Sequence, residues 1–202
     1  MSVSAELRWF WQNAFPPGLE TFFHSGAFPP GGGRPRTDDY LLDTSQVELG
    51  LKKRGGKSGI EIKGLIGVGA VCPAPFEGRM QIWSKWISNA LTIDQMPRLV
   101  VHKTRWLRKF DTSGTDVTEV ELDEEERPRQ SPERMLERGC HFELVTIQVD
   151  GCVWWSVGFE AFGPLDTVEH SLVRTVKWLA PAPHVPPGLE LSYPAWLARL
   201  RT

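Results

Sequence analysis

The stretch Val47–Lys63, VELGLKKRGGKSGIEIK, predicts two antiparallel strands joined by a tight turn. Apolar and polar residues alternate with a period of two on both sides of the turn, as they do in strands with two different faces. Between the two runs, Gly55, Gly56 and Gly59 can adopt the positive φ angles that hairpin turns often require. The segment therefore predicts a β-hairpin.

Further extended stretches occur along the rest of the chain. They are Ala5–Trp11, Leu99–Phe110, Asp116–Leu122, His141–Val149 and Val153–Phe159. Asp150 and Gly151 between the last two predict a second hairpin, because Asp-Gly favours a two-residue turn. Seven or eight short strands predict an α+β protein built on an antiparallel β-barrel, closed or nearly closed, with a few flanking helices.

Three helices and two loops are predicted for the remaining sequence. Met80–Leu91 and Val168–Leu179 carry apolar residues at helical spacing. A third, short helix is expected at the C terminus after Ser192. Gly26–Arg36 and Gly64–Gly78 contain many glycine and proline residues, and we expect both to form loops.

The composition indicates a globular protein of one domain. The 23 basic and 25 acidic residues leave a net charge of −2, which argues against a polycation that binds nucleic acid non-specifically. No apolar run approaches the roughly 18 residues that span a bilayer, and the N terminus lacks the pattern of a signal peptide. We expect a single domain over residues 1–202 with a C-terminal extension over 181–202. We also expect a cytoplasmic location and neither nucleic acid nor membrane as a partner, and the oligomeric state stays open.

Charged residues fall on one face of several predicted strands, because side chains alternate between the two faces. The face is either exposed to solvent, as in many antiparallel sheets, or it lines the interior of a barrel. Cations on some strands and carboxylates on others suit a metal–polyphosphate site, since cations neutralise phosphate and carboxylates bind Mg²⁺. In a barrel, eight side chains should share one space: Lys52, Glu61, Lys63, Lys103, Arg105, Glu119, Glu121 and Glu143.

Several motifs resemble those of CYTH domains, which belong to the triphosphate tunnel metalloenzymes. The resemblance is carried by YLLDT at Tyr40–Thr44, IEIKG at Ile60–Gly64, a K-x-R strand at Lys103–Arg105 and acidic strands at Glu119–Glu121 and Phe142–Leu144. The resemblance implies an eight-stranded tunnel that binds a tri- or polyphosphate or an organic phosphate, together with Mg²⁺ or Mn²⁺. It also implies hydrolysis of the bound phosphate.

The first strand departs from the family motif E-x-E-x-K. It reads Glu6-Leu-Arg8-Trp-Phe10, so that only the first carboxylate matches. Arg8 places a cation where the second carboxylate belongs, and Phe10 replaces the lysine. A cation at this position repels a metal ion and weakens the implied metal site.

The resemblance assigns roles to particular residues of this chain. Lys63 and Glu143 are the expected catalytic residues. The substrate phosphates are expected to contact Lys52, Lys63, Lys103 and Arg105. Arg8, which departs from the motif, is expected either to contact the anion as well or to pair with Glu6, Glu121 or Glu143. The metal ion is expected to bind Glu6, Glu119, Glu121 and Glu143.

Three functions stay open from the sequence. The first is a divergent tunnel phosphohydrolase, and the second is a catalytically inactive tunnel that binds a polyanion. The third is a non-enzymatic, β-rich interaction domain whose charged face is simply exposed to solvent. The position of the charged face, inside or outside the barrel, separates the first two from the third.

Overall fold

The computed structural model describes residues 1–41, 47–55, 57–131, 136–180 and 182–201. Three residues of the YLLDT motif (Leu42, Asp43 and Thr44), Gly56 of the predicted turn, and residues 181 and 202 of the predicted extension lie outside these ranges. The strands are β1 (Ser2–Gln12), β2 (Gly31–Leu41), β3 (Leu49–Arg54), β4 (Ile60–Cys72), β5 (Gly78–Ser88), β6 (Arg98–Asp111), β7 (Thr118–Val120), β8 (Gly139–Val149), β9 (Cys152–Gly163) and β10 (Leu189–Glu190). The helices are α1 (Pro17–His24), α2 (Val168–Trp178) and α3 (Tyr193–Arg199).

Eight of these strands form a closed antiparallel barrel. They pair in the order β1-β5-β4-β3-β2-β6-β8-β9, and β9 pairs back with β1. The two remaining strands lie beside this path, with β7 on β6 and β10 on β1. The predicted α+β class with an antiparallel barrel of about eight strands is therefore confirmed. Both predicted hairpins join neighbouring barrel strands, and Asp150 and Gly151 have the positive φ angles of a tight turn.

The helix predicted at Met80–Leu91 was wrong, because this segment forms β5 between β1 and β4. Met80 and Ile82 pack in the core outside the barrel. Trp83, of opposite parity, is also buried and lies below the ammonium group of Lys63. A strand that buries apolar residues on both faces can match helical spacing by chance.

The two predicted loops are largely strands. β2 begins at Gly31, and β4 extends to Cys72. In β2 the register shifts between Gly32 and Pro35, and Gly32 and Gly33 have φ angles of 93° and 83°. Glycine here permits a bulge inside a strand and does not end it. The prediction also missed helix α1, which begins at a proline, a residue that is well suited to the first helical turn.

The first apolar core lies between the barrel and the helices α1 and α2. Phe142 of β8 stacks on Phe159 of β9 with 4.7 Å between the ring centroids. Phe76 contacts both rings edge-on, and Leu172 of α2 is buried in the same cluster. Because one parity of these strands faces this outer core, the opposite parity faces the barrel interior. None of the described helices is long and apolar enough to span a membrane.

A second apolar core fills one end of the barrel. Helix α3 inserts Trp196 among inward-facing side chains that include Phe10, Val101 and Ile147. The Phe10 ring stacks on the Trp196 indole, with centroids 4.8 Å apart and 2° between the planes. Ser192 caps α3 by accepting a hydrogen bond from the Ala195 amide. The C-terminal segment therefore closes one end of the barrel, and we call this apolar core with α3 the plug.

Trp196→Ala should lower the free energy of unfolding by about 3–5 kcal/mol, because it empties the centre of the plug. Urea unfolding followed by far-UV circular dichroism measures the loss. The matched control is Trp86→Ala, since Trp86 is 40% exposed on β5. We expect that variant to lose about 1 kcal/mol. Equal losses in the two variants would show that α3 is not part of the folded core.

Candidate functional site

The interior of the barrel beyond the plug is a cavity of about 250 Å³. Among the described residues, eight cationic side chains and four carboxylates line it. The cations are Arg8, Arg36, Lys52, Arg54, Lys63, Lys85, Lys103 and Arg105, and the carboxylates are Glu6, Glu61, Glu143 and Glu160. His141, Tyr40 and the α3 residue Tyr193 also line the wall. The cavity therefore carries an excess of positive charge.

Strand parity explains both the charged wall and the apolar plug. On β1, Glu6, Arg8 and Phe10 share the inward face. The first two line the cavity and the third belongs to the plug. On β8 the inward face likewise changes from Glu143 in the cavity to Ile147 in the plug. The barrel is thus a blind tunnel, charged along one part and apolar at its closed end.

Glu143 is shared by two arginines. Arg8 donates a hydrogen bond to one carboxylate oxygen at 2.5 Å, and Arg105 donates to the other at 2.8 Å. Burial by itself raises the pKa of Glu143, but the charges of Arg105 and Arg8 hold this pKa well below its usual range. Gly158 provides the space, because a Cβ atom there would lie 2.8 Å from the Arg8 guanidinium carbon. Glu143 is therefore ionised and engaged on both oxygens.

Glu61 also lies between two cations. The Lys52 Nζ atom is 2.8 Å from one carboxylate oxygen, and the Arg54 Nη2 atom is 3.7 Å from the other. Burial raises the pKa of Glu61, but Lys52 and Arg54 outweigh it and lower the value to about 2. Burial lowers the pKa of Lys52 to about 8, although Glu61 opposes this shift. A nearby anion favours the charged form of a lysine, so that an anion bound beside Lys52 would raise this pKa.

Asp38 and Lys103 form a looser contact. Asp38 is fully buried, and neither of its carboxylate oxygens has a hydrogen-bond partner in the described part of the chain. Its oxygens lie 3.5 Å from Arg36 Nε and 3.8 Å from Lys103 Nζ. Lys103 instead contacts the Tyr40 hydroxyl at 2.5 Å. Burial and the charge of Lys52 hold the pKa of Lys103 well below its usual value.

The other two tunnel lysines have close carboxylate partners. Lys63 donates a short hydrogen bond to Glu6 and lies over the Trp83 ring. Lys85 contacts Glu160 at 3.0 Å. The charge of Glu160 raises the pKa of Lys85 despite burial. Lys85 is therefore an ammonium ion that carries a positive charge into the tunnel.

The structure brings together seven of the nine residues predicted as site residues. Glu6, Arg8, Lys52, Lys63, Lys103, Arg105 and Glu143 all line the cavity. Glu119 and Glu121 do not. Glu119 is buried outside the barrel in a two-bond pair with Arg108, at 2.7 and 2.9 Å, and Glu121 pairs with Arg129 at 3.0 Å.

The expectation that eight polar side chains face one space was therefore wrong for Glu119 and Glu121. Both belong to the segment around β7, which pairs with β6 but is not part of the barrel wall. The alternation of side chains along a strand predicts which residues share a face, but it does not predict whether the strand is part of the barrel wall. The predicted metal set of Glu6, Glu119, Glu121 and Glu143 is consequently not assembled in the tunnel.

Several lining residues were missed by the sequence analysis. Lys85 and Arg36 lie in segments that had been assigned to a helix and a loop, and Tyr193 lies in the extension. Reading residues 78–88 as a strand would have found Lys85, which has the same parity as Trp83. Glu126 comes from the charged segment that follows β7, yet it accepts a hydrogen bond from Arg105 Nε at 3.0 Å. No local sequence signal identifies that contact.

One different group of side chains has the spacing of a metal site. Atoms of His141, Glu143 and Glu160 that could bind a metal lie within 4.8 Å of one another. Burial lowers the pKa of His141 to about 4, so that its imidazole is neutral, as a metal ligand must be. The carboxylates, however, already pair with Arg105 and Lys85, among others. A metal ion would have to compete with these cations.

No protein-family model matches the chain, and no curated protein matches it. The case for a function therefore rests on the barrel, the charges of its tunnel and the motifs of the sequence.

The neutral His141 should make stability depend on pH between about 6.5 and 4. As the pH falls through this range, the unfolded chain binds a proton that the folded chain excludes, so that the folded state loses stability. His141→Gln removes this contribution. Urea unfolding of both proteins at about pH 7 and about pH 5 should show a smaller acid-induced loss for the variant. Identical losses would mean that His141 is protonated in the folded protein.

Proposed function

We propose that this chain binds the phosphate groups of a small anion, either a short polyphosphate or an organic phosphate, inside the tunnel. The observation that carries the proposal is the excess of basic side chains around one cavity: eight line the wall, against four lining carboxylates and the adjacent carboxylates of Asp38 and Glu126. Glu61 and Glu143 are each shared by two cations, so that part of the positive charge lacks a matching anion. Phosphate oxygens form strong, charge-assisted hydrogen bonds with such groups.

The motif resemblance supports the same proposal. Lys63 of IEIKG and both cations of the K-x-R strand, Lys103 and Arg105, lie in one tunnel. A closed antiparallel barrel with cations inside is the arrangement that the resemblance to CYTH domains implies. Membership of that family is part of the proposal, and the first strand is its divergent element.

The charged tunnel also favours binding over the alternative of a solvent-exposed charged face. Arg8, Lys103 and Glu143 are each less than 8% exposed. Burying charges is costly unless a partner or a ligand compensates them. A domain that served only for protein interaction would gain nothing from cations held inside its barrel.

Metal-dependent hydrolysis is the second candidate, and the group of His141, Glu143 and Glu160 favours it. Mg²⁺ or Mn²⁺ would need free carboxylate oxygens. Arg8 and Arg105 occupy both oxygens of Glu143, and the predicted carboxylate set is not assembled. We therefore place binding before turnover and derive no catalytic step through a metal ion.

Tripolyphosphate should raise the melting temperature, because a ligand that binds only the folded state stabilises it by mass action. Lys63→Ala should abolish most of this shift, as it removes a cation from the tunnel. Lys53→Ala is the matched control: this lysine is 44% exposed and pairs with Asp94 at 3.4 Å. Differential scanning fluorimetry measures the shifts. Equal reductions in both variants would contradict binding in the tunnel.

Phosphate release from tripolyphosphate should be no faster with Mg²⁺ or Mn²⁺ than without them, because Arg8 engages Glu143. Arg8→Glu replaces the cation with a carboxylate and should introduce metal dependence if the barrel stays folded. Phe10 is left unchanged, since lysine at that position would place a charge inside the plug. A malachite green assay measures the released phosphate. Brisk metal-dependent release by the natural sequence would favour the second candidate.

A further inference from the structure

We propose that Lys103 forms an imine with the carbonyl group of a phosphorylated aldehyde or ketone held in the tunnel. The proposal rests on the proposed function, because the other tunnel cations would bind the phosphate while the amine meets the carbonyl carbon. It narrows the ligand from phosphates in general to phosphates that carry a reactive carbonyl group. It also assigns a covalent step to a site that otherwise only binds.

Lys103 differs from the other lysines of the cavity wall. Lys52, Lys63 and Lys85 each have a carboxylate oxygen within 3.0 Å. The closest carboxylate that contacts the Lys103 amine is that of Asp38 at 3.8 Å, beyond hydrogen-bond distance. The lysine residue is only 3% exposed, and it lines the cavity. It is therefore a buried amine that has access to a ligand but no tight counter-ion.

The surroundings favour the neutral, nucleophilic form of this amine. Burial lowers the pKa of Lys103, and the nearby charges of Lys52, Arg36 and Arg8 act in the same direction. Asp38 opposes the shift. The amine also lies 3.8 Å from the centroid of the Tyr193 ring, a contact that favours an ammonium ion. The net shift is nevertheless downward, and desolvated lysines of this kind act as nucleophiles toward carbonyl groups.

The cations that help to lower the pKa of Lys103 also provide the contacts to the phosphate group. Lys52, Arg36 and Arg8 line the same cavity and act electrostatically on the amine. A phosphate group bound among them would place the carbonyl group of a short ligand near Lys103. The Tyr40 ring, stacked against Tyr193 at 6.0 Å, gives this part of the wall an apolar surface. The site thus combines cations that bind phosphate with an apolar surface beside the Lys103 amine.

Tyr40 is positioned to move the protons of the reaction. Its hydroxyl group lies 2.5 Å from Lys103 Nζ. The nitrogen lone pair forms the C–N bond while the carbonyl π electrons move to oxygen, and one N–H proton reaches that oxygen through the Tyr40 hydroxyl. The C–O bond of this carbinolamine then breaks, and the oxygen leaves as water with the second N–H proton. The C=N bond forms without any oxidant or reductant.

The test uses pyridoxal 5′-phosphate as the probe, an aldehyde that carries a phosphate group. The natural full chain is incubated with the probe, reduced with sodium borohydride and mapped by peptide mass spectrometry. We expect the reduced adduct on Lys103, at least about tenfold above any other lysine of the tunnel. Pyridoxal without the phosphate should give little adduct, and tripolyphosphate should compete with the probe. The mapping needs no variant to fold.

Two variants sharpen the result. Lys103→Arg keeps a long basic side chain at this position but cannot form an imine, and it should lose the adduct. Lys109→Arg is the control, because burial lowers the pKa of Lys109 too, although Lys109 does not line the cavity. It should keep the adduct on Lys103. Labelling of Lys109 or Lys52 in preference to Lys103 would overturn the inference.

The two proposals fail in different ways. If tripolyphosphate raises the melting temperature but no adduct forms on Lys103, the imine is wrong and phosphate binding stands. If tripolyphosphate neither stabilises the chain nor competes with the probe, both proposals are overturned. An adduct on Lys103 that forms equally well from pyridoxal also contradicts the inference, because the phosphate would then contribute nothing.

Discussion

The closed barrel confines eight basic side chains in one cavity, and their burial together with their mutual repulsion governs the properties of the site. Cations buried this close together require compensation, since neither water nor salt screens them well. The chain supplies part of it through carboxylates that two cations share, such as Glu143 and Glu61. At Lys103, burial and the charge of Lys52 lower the pKa of the amine, and the loose contact with Asp38 does not offset them. The proposed anion binding and the low pKa of Lys103 thus both follow from the burial of cationic groups in one cavity.

The plug determines what this cavity can hold. Phe10 and Trp196 fill the barrel end where an open tunnel would continue. Phe10, at the position of the lysine in the E-x-E-x-K motif, is therefore part of the apolar plug. Arg8, at the position of the second carboxylate of that motif, pairs with Glu143, a carboxylate that a metal ion would need. Both residues favour a blind, cationic pocket over an open metal tunnel.

Much of the fold and part of the site could be predicted from local pattern. Period-two alternation correctly grouped Lys103 with Arg105, and Glu61 with Lys63, because strand geometry alone determines which side chains share a face. Alternation failed at Met80–Leu91, because the neighbours Ile82 and Trp83 are both buried while Trp86 and Ile87 are apolar but exposed, so that the pattern loses its contrast. It also failed for Glu119, because strand β7 pairs with β6 outside the barrel wall, and this placement depends on the tertiary structure and not on the local sequence. Glu126 and Tyr193 reach the tunnel region from distant segments that carry no local signal of it.

A crystal structure of the chain soaked with tungstate, an anomalously scattering analogue of phosphate, tests the central claim most directly. The account predicts a strong anomalous peak inside the barrel, within hydrogen-bond distance of at least two tunnel cations such as Arg8, Lys63 or Arg105. Tungstate bound only to basic residues of the outer surface, with none in the barrel, would contradict it. In that case the buried cations would serve the stability of the barrel and not the binding of a ligand.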